Sequence, residues 1–313
     1  MKVPVLLIVF NRLEPVKKVF EQIQMYEPQQ LFIAADGPRS EVIADKTKCQ
    51  EVREWLVKNI DWNCEIYKLF RENNIGCGYG PSSAISWFFE HVDRGVILED
   101  DCIPSLEFFD FAAEMLERYD TDETVMAINA SNFQERKWGS ASYYFSMQIS
   151  PFWGWATWRR AWEKFDYNLV GYTPKTIRKM MRYYSVTSNE IKWWVDIYKN
   201  LRTGVYGNSA WDYQFIFAIW KNKGKTIVPN VNLNTNVGFG EDATHTQDPN
   251  DIIAKIPVKK IYPLIHSCSK NICREADLYY HNLYYAPHQI STPWYVKLKR
   301  FVKKTIKLII YHK

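Results

Sequence analysis

The feature that most constrains this chain is its opening run of apolar residues, Val3–Phe10, which reads Val-Pro-Val-Leu-Leu-Ile-Val-Phe. The run is rich in β-branched residues and does not alternate between apolar and polar positions. A half-exposed strand would alternate, because successive side chains point to opposite faces of a sheet. The run therefore predicts a strand that is buried on both faces, which is typical of a parallel sheet covered by helices.

Strand-like and helix-like segments alternate after this first strand. Further strands are predicted at Leu31–Ala35, Cys64–Phe70 and Gly95–Leu98. Helices are predicted between them, at Pro15–Met25, Val42–Asn59 and Pro81–His91. The alternation predicts an α/β fold, a Rossmann-like, doubly wound and mostly parallel sheet with helices on both faces.

The second half of the chain is less regular. Its predicted elements are strands at Val125–Asn129 and Thr226–Val228, helices at Thr176–Arg202 and Trp211–Lys221, a loop at Asn236–Thr246 and an aromatic segment of undecided structure at Tyr143–Trp158. No linker-like stretch separates the halves, so we expect one fused domain. We divide it into a nucleotide-sugar-binding half (1–125), an acceptor-binding half (126–290) and a basic amphipathic C-terminal helix (291–313).

Composition narrows the class of partner. The formal net charge is only +5 over 313 residues, well below the Lys and Arg density of nucleic-acid-binding proteins, so we expect no nucleic-acid partner. No apolar stretch approaches about eighteen residues, which argues against a membrane-spanning helix. Six scattered cysteines and the absence of a visible signal peptide predict a cytoplasmic, reducing compartment.

Polar and charged residues stand where three predicted strands end, at Asn11–Arg12, Asp36–Gly37 and Glu99–Asp101. In open α/β sheets, ligands bind beyond the carboxyl ends of the strands. Three adjacent carboxylates repel one another unless a cation or hydrogen-bond donors offset them. Mg²⁺ and Mn²⁺ suit such a site, since they take one or two carboxylates and fill their other positions with phosphate oxygens and water. The alternative is a solvated acidic turn.

These blocks resemble a known family. The segment Val3–Arg12, the turn Ala35–Gly37 and the segment Glu99–Phe109 are similar to the N-acetylglucosaminyltransferases that begin complex N-glycans, and to a looser set of bacterial nucleotide-diphospho-sugar transferases. The resemblance covers about the first 120 residues. It implies the GT-A fold and a glycosyltransferase activity.

The resemblance also implies roles for individual residues. Asp101 would bind the metal ion directly, Asp100 would contact the ribose or metal-bound water, and Glu99 would contact the donor sugar. Arg12 would touch the diphosphate or the base-side pocket, and Asp36 would accept a hydrogen bond from the uracil imide, which favours UDP over CDP. The alternatives are a surface Arg at a strand end for Arg12 and turn formation for Asp36.

Five further candidates lie in the second half, and three of them are tryptophans. Asp212 matches the Trp-Asp pair in which the family places its catalytic base, although an Asp there is also a plausible helix cap. His245 is a candidate metal or diphosphate contact, with an ordinary loop His as the alternative. Trp153, Trp155 and Trp211 are candidates for the acceptor side, with core packing as the alternative.

The last segment, 291–313, carries a separate signal. Apolar and aromatic side chains fall on one face of a helix, and basic side chains lie around the rest of it. Such a helix fits the interface of an anionic membrane, and a solvated terminal helix is the alternative. We therefore expect a cytoplasmic protein with peripheral contact to the inner face of the cytoplasmic membrane.

The sequence thus favours an inverting, metal-dependent transferase for polysaccharide biosynthesis in a bacterium. The donor would be a UDP-sugar carrying GlcNAc or a related hexose, and the acceptor a hydroxyl of a glycan or of a lipid-linked oligosaccharide. Two alternatives stay open. A sugar-phosphate nucleotidyltransferase would share the fold and the acidic triplet but normally has a Gly-rich loop after its first strand. A non-catalytic carbohydrate-binding protein would account for the aromatic residues but has no need of the triplet.

Overall fold

The computed structural model describes residues 2–134, 136–147, 152–184, 186–204, 210–238 and 256–285. The first half alternates strands and helices as the sequence predicts. Its elements are β1 (Val5–Val9), α1 (Leu13–Tyr26), β2 (Gln30–Ala35), α2 (Ile43–Asn59), β3 (Glu65–Phe70), α3 (Gly76–His91) and β4 (Arg94–Glu99). The main difference is at α3, which begins at Gly76 rather than at Pro81.

The second half adds shorter strands and the remaining helices. They are β5 (Cys102–Pro104), α4 (Leu106–Arg118), β6 (Val125–Asn129), β7 (Tyr143–Ser146), β8 (Trp155–Trp158), α5 (Arg159–Trp162), α6 (Pro174–Tyr183), α7 (Ser188–Arg202), α8 (Asp212–Lys221), β9 (Lys225–Pro229), β10 (Asn234–Asn236) and α9 (Arg274–Tyr280), followed by a π-helical turn at His281–Tyr285. The single helix predicted at Thr176–Arg202 is in fact two, because Thr173 and Thr187 each cap a new helix through a capping box.

Eight strands form one continuous sheet in the order β3-β2-β1-β4-β8-β6-β9-β7. The pairs β3–β2, β2–β1 and β1–β4 are parallel, and so is β6–β9. Strand β8 runs antiparallel between β4 and β6, and β7 runs antiparallel to β9 at the edge. Six strands therefore share one direction, which confirms the expected α/β class with a mostly parallel sheet.

Helices cover both faces of this sheet, as the opening run predicts. Val5, Leu7 and Val9 of β1 belong to a core with α1, α2 and α4, whereas Leu6 belongs to a second core with α3 and α5 to α8. Alternate residues of one strand enter opposite cores, so β1 is apolar at every position. Among the residues that the structure describes, no helix is long and apolar enough to cross a lipid bilayer.

Candidate active site

A cleft of about 1110 Å³ opens at the carboxyl ends of β1, β2 and β4. Four of the residues singled out in the sequence line it, namely Arg12, Asp36, Glu99 and Asp100. They come from three segments far apart in the chain. They meet because parallel strands that are neighbours in the sheet end at the same edge.

Arg12 is the counter-ion of two residues of the acidic triplet, Asp100 and Asp101. Its Nη2 contacts Asp100 Oδ1 and lies 2.7 Å from Asp101 Oδ2, and its Nε lies 3.3 Å from Asp100 Oδ2. Burial works against the charged guanidinium, yet the charges and hydrogen bonds of the two aspartates raise the pKa of Arg12. The side chain is therefore a permanent counter-ion for the two carboxylates.

The carboxylate of Asp101 is held from its other side by the segment that begins with β10. Asn236 Nδ2 donates to Asp101 Oδ1 at 3.2 Å, and the Val237 N–H donates to the Asp101 carbonyl oxygen at 2.9 Å. Strand β10 pairs antiparallel with β5, which directly follows Asp101. A Cβ at Gly238 would collide with Asp101 Oδ2, so a larger residue there would displace this carboxylate.

The ionisation of the triplet is uneven. Burial, reinforced by the charges of Asp101, Asp100 and Asp212, raises the pKa of Glu99 to about 8. Burial also raises the pKa of Asp100, against the opposing effect of Arg12. At neutral pH Glu99 is therefore mainly a neutral carboxylic acid, which can donate a hydrogen bond as well as accept one.

Asp36 ends β2 and binds the start of α3. Its carboxylate accepts hydrogen bonds from the backbone N–H groups of Gly37, Ile75 and Gly76, at 2.9 to 3.2 Å. Burial raises the pKa of Asp36, and these same backbone bonds oppose the rise. Turn formation, the simpler alternative, thus describes part of what Asp36 does, and the residue also lines the cleft.

Asp212 is the first residue of α8, and Trp211 occupies the N-cap position. Asp212 is therefore not the cap of this helix, which was the alternative to a catalytic role. Its charge is close enough to Glu99 to contribute to the raised pKa of that carboxyl group. Asp212, from the second half of the chain, thus lies within electrostatic range of Glu99.

The three candidate tryptophans differ in burial. Trp155 is 1% exposed and Trp211 is 5% exposed, and the two rings stack in the second core at a centroid distance of 5.8 Å. For these two the structure favours core packing over an acceptor platform, because a buried ring has no free face to offer a sugar. Trp153 is only partly buried and packs edge-on against Phe133.

Two predictions fall outside the described residues, those for His245 and for the basic tail 291–313. Within the described part of the chain, no three His, Cys, Asp or Glu side chains are grouped as ligands for a metal ion. Asp100 lines the cleft and Asp101 follows it in the chain, so two hard oxygen donors stand side by side there.

Sequence reasoning missed a second charged cluster on the cleft wall. Asp45 in α2 accepts hydrogen bonds from Arg39 Nε at 2.5 Å and from Asn11 Nδ2 at 2.7 Å. These bonds, that from Arg39 foremost, lower the pKa of Asp45 to about 2. Arg71, just after β3, also lines the cleft and donates to Ser83. No local sequence signal marks these residues, because only the fold brings them together.

Comparison with known proteins gives no family. No family model matches the chain, and no curated protein does either. HddC from Yersinia pseudotuberculosis complexed with GMP-PN is similar at 10% identity and a TM-score of 0.31, over 51% of this chain and 79% of its own. The mannosyltransferase PcManGT from Pyrobaculum calidifontis, in complex with GDP-Man and Mn²⁺, is similar at 15% identity and a TM-score of 0.36, over 53% of this chain and 47% of its own. A cytidylyltransferase from Leptospira borgpetersenii is similar at 13% identity and a TM-score of 0.33, over 56% and 67%. These weak likenesses do not distinguish one activity from another.

Proposed function

We propose that this protein is an inverting glycosyltransferase that moves a hexose, GlcNAc or a relative of it, from a UDP-sugar to a hydroxyl of a glycan or lipid-linked acceptor. The observation that carries the proposal is a cleft lined by Arg12, Glu99 and Asp100, with Asp101 paired to the same Arg12 and the charge of Asp212 acting on Glu99. A binding protein that only recognises sugars has no use for carboxyl groups gathered in this way.

The cleft suits the nucleotide end of such a donor. Its volume of about 1110 Å³ is at the upper end of the range for small-molecule sites. Lys48 and Arg71 line it and could meet phosphate oxygens. Asp36 also lines the cleft, although three backbone N–H groups already make four contacts with its carboxylate. We assign Asp36 to the uracil imide because of this position in the cleft.

The donor set at the triplet fits a divalent ion of the kind that nucleotide sugars carry. Mg²⁺ needs only one or two protein carboxylates when phosphate oxygens and water complete its shell, and Asp101 and Asp100 are two such groups. We propose Asp101 as the direct ligand, with His245 as a further ligand that would favour Mn²⁺. When bound, the ion would neutralise charge on the departing diphosphate. The chain's own contribution is to fix Asp101 between Arg12 and Asn236.

We assign the proton transfer to Asp212. In an inverting reaction the acceptor hydroxyl attacks C1 from the side opposite the diphosphate, and a carboxylate removes its proton. Asp212 is the first residue of α8, and its charge acts on Glu99. We assign to Glu99 the hydrogen bond with a hydroxyl of the donor sugar. Trp153 remains our candidate for contact with the acceptor.

The substitution Asp212→Asn tests this assignment. Asn has the same shape, so the melting temperature and the affinity for UDP should barely change. It cannot take up a proton, so kcat should fall by about 10²-fold or more. The product of the wild-type enzyme should be β-linked when the donor is α-linked, as NMR of the product would show.

Three results would contradict the proposal. Near-normal turnover of Asp212→Asn would show that Asp212 is not the catalytic base. An α-linked product would show that the reaction does not invert the configuration at C1. Release of pyrophosphate from a nucleoside triphosphate and a sugar phosphate would instead identify a nucleotidyltransferase. The matched control is Asp196→Asn, a surface aspartate of α7 that pairs only with Lys199 among the described residues.

Membrane contact is a separate proposal that rests on the sequence of 291–313 alone. We propose that this basic segment binds the anionic inner face of the cytoplasmic membrane. A chain shortened after Pro293 should lose co-sedimentation with anionic vesicles and keep its activity on a soluble acceptor. Unchanged co-sedimentation would reject this role for the tail.

A further inference from the structure

Asparagine occupies every second position in the segment Asn230-Val-Asn-Leu-Asn-Thr-Asn236. We call these four residues the asparagine ladder. All four are buried, and none is more than 9% exposed. Burying a side-chain amide is unfavourable unless it finds hydrogen-bond partners, so each rung should have a structural or functional reason.

The first two rungs bind backbone groups of neighbouring loops. Asn230 accepts from the Trp138 N–H at 2.8 Å and donates to the Trp138 and Ala141 carbonyl oxygens. Asn232 accepts from the Asn132 N–H at 3.2 Å and donates to the carbonyl oxygens of Asn234 and Ile256. These two side chains satisfy backbone groups that lie away from the cleft.

The last rung is different, because its partner is the acidic triplet. Asn236 Nδ2 donates to Asp101 Oδ1 at 3.2 Å, and its Oδ1 accepts from the Gly238 N–H at 2.7 Å. Gly238 itself packs against the other oxygen of the same carboxylate. Contacts from Asn236 and Gly238 therefore reach both oxygens of the Asp101 carboxylate.

We propose that Asn236 is a positioning residue, which fixes the Asp101 carboxylate in the orientation needed to bind the cation of the nucleotide-sugar complex. The inference rests on the function proposed above for Asp101. Arg12 attracts the Oδ2 of Asp101 from one side. Without the donor on Oδ1, the carboxylate can turn further towards the guanidinium, and the oxygen that should face the ligand is lost. Side chains that orient a metal ligand typically contribute about 10- to 100-fold to metal affinity or activity.

The ladder supplies its own matched control. Asn234 lies two residues before Asn236 in β10 and therefore on the same face of the strand. Both side-chain amide atoms of Asn234 are buried without a hydrogen-bond partner among the described residues. Replacing Asn234 removes a buried amide from the same strand but breaks no side-chain hydrogen bond among the described residues.

The experiment compares Asn236→Ala and Asn236→Ser with Asn234→Ala in the full chain. Calorimetry with MnCl₂ in the presence of UDP measures the cation affinity, steady-state kinetics measures kcat and the KM for the acceptor, and thermal unfolding measures stability. We expect Asn236→Ala to weaken Mn²⁺ binding about 10-fold or more and to lower kcat, with the KM for the acceptor unchanged. Asn236→Ser keeps a short donor and should lie between this variant and the wild type.

The possible outcomes distinguish a failure of the role proposed for Asn236 from a failure of the proposed function. Equal Mn²⁺ affinity in Asn236→Ala and Asn234→Ala would overturn the role of Asn236. If Asn236→Ala unfolds, the serine variant decides, since wild-type cation affinity in a folded Asn236→Ser would also overturn it. If the wild-type chain binds neither Mn²⁺ nor UDP, the proposed function itself fails, whatever the variants do.

Discussion

At the scale of single residues, Arg12 explains how three consecutive acidic residues can stand at the end of a buried strand. Its guanidinium bridges Asp100 and Asp101, so the charges that would repel each other share one cation. The third carboxyl group, Glu99, is left mainly protonated instead. Asp100 and Asp101 are thus accommodated by an ion pair with Arg12, whereas the neighbouring Glu99 is accommodated by protonation.

This arrangement predicts the effect of removing the cation. Arg12→Met keeps the side-chain length but leaves two poorly exposed carboxylates without a cationic partner. We expect the free energy of unfolding at pH 7, measured in urea, to fall by about 2–3 kcal/mol, less than for a fully buried pair because Arg12 is partly exposed. The double variant Arg12→Met with Asp100→Asn should recover part of the loss. A double variant less stable than Arg12→Met alone would show that charge is not the cause.

At the scale of elements, α3 shows how a neighbouring strand can set where a helix begins. The first five residues of α3 include Gly76, Gly78 and Gly80, which disfavour a helix. Asp36 at the end of β2 accepts the N–H groups of Ile75 and Gly76. A cap supplied from another element therefore stabilises a turn that its own sequence does not favour.

The substitution Asp36→Ala should therefore act on α3 as well as on the nucleotide. We expect the amides of residues 75–80 to exchange with deuterium faster, and the free energy of unfolding to fall by about 1 kcal/mol, as for the loss of a helix cap. If Asp36 also binds the uracil imide, the preference for UDP over CDP should narrow. Unchanged exchange at 75–80, with β4 as the internal reference, would contradict the capping role.

The same elements show what the sequence could and could not predict. Strands β1, β2 and β4 follow from continuous apolar runs, and the polar residues at their ends, Arg12, Asp36 and Asp100, line one cleft. The start of α3 could not be predicted, because its cap lies in another element. Nor could the cluster of Asp45 with Arg39, since neither residue belongs to a recognisable motif. The break between α6 and α7 does have a local signal, the capping box that Thr187 forms with Glu190.

At the scale of the whole molecule, one ion pair joins the segment before α9 to the turn between α4 and β6. Lys270 Nζ lies 2.8 Å from Asp122 Oδ2. Burial opposes ionisation of Asp122, but the hydrogen bonds from Lys270 and Thr124 and the Lys270 charge lower its pKa from 3.8 to about 2. The folded state therefore binds this proton more weakly than the unfolded chain does.

The sign of the pH dependence follows. The stabilisation by Asp122 is fully present above about pH 4, and it is lost as the pH falls through about 2. Asp122→Asn should lower the free energy of unfolding at pH 7 by about 2 kcal/mol and by much less at pH 2. Urea titrations from pH 7 to pH 2 measure this difference. A deficit that stays constant down to pH 2 would assign the effect to packing instead.

The position of β8 has a consequence for anyone who wishes to recombine this chain with others. A chimera cut near residue 125 would keep β4 but take β8 from a different parent. In this chain Gly95 of β4 lies opposite Thr157 of β8, and Ile97 lies opposite Trp155. The β8 of the other parent would have to pair with β4 in this same register, although it evolved beside a different strand. Exchange of ligand specificity should therefore succeed more often by grafting loops onto an intact sheet than by swapping halves.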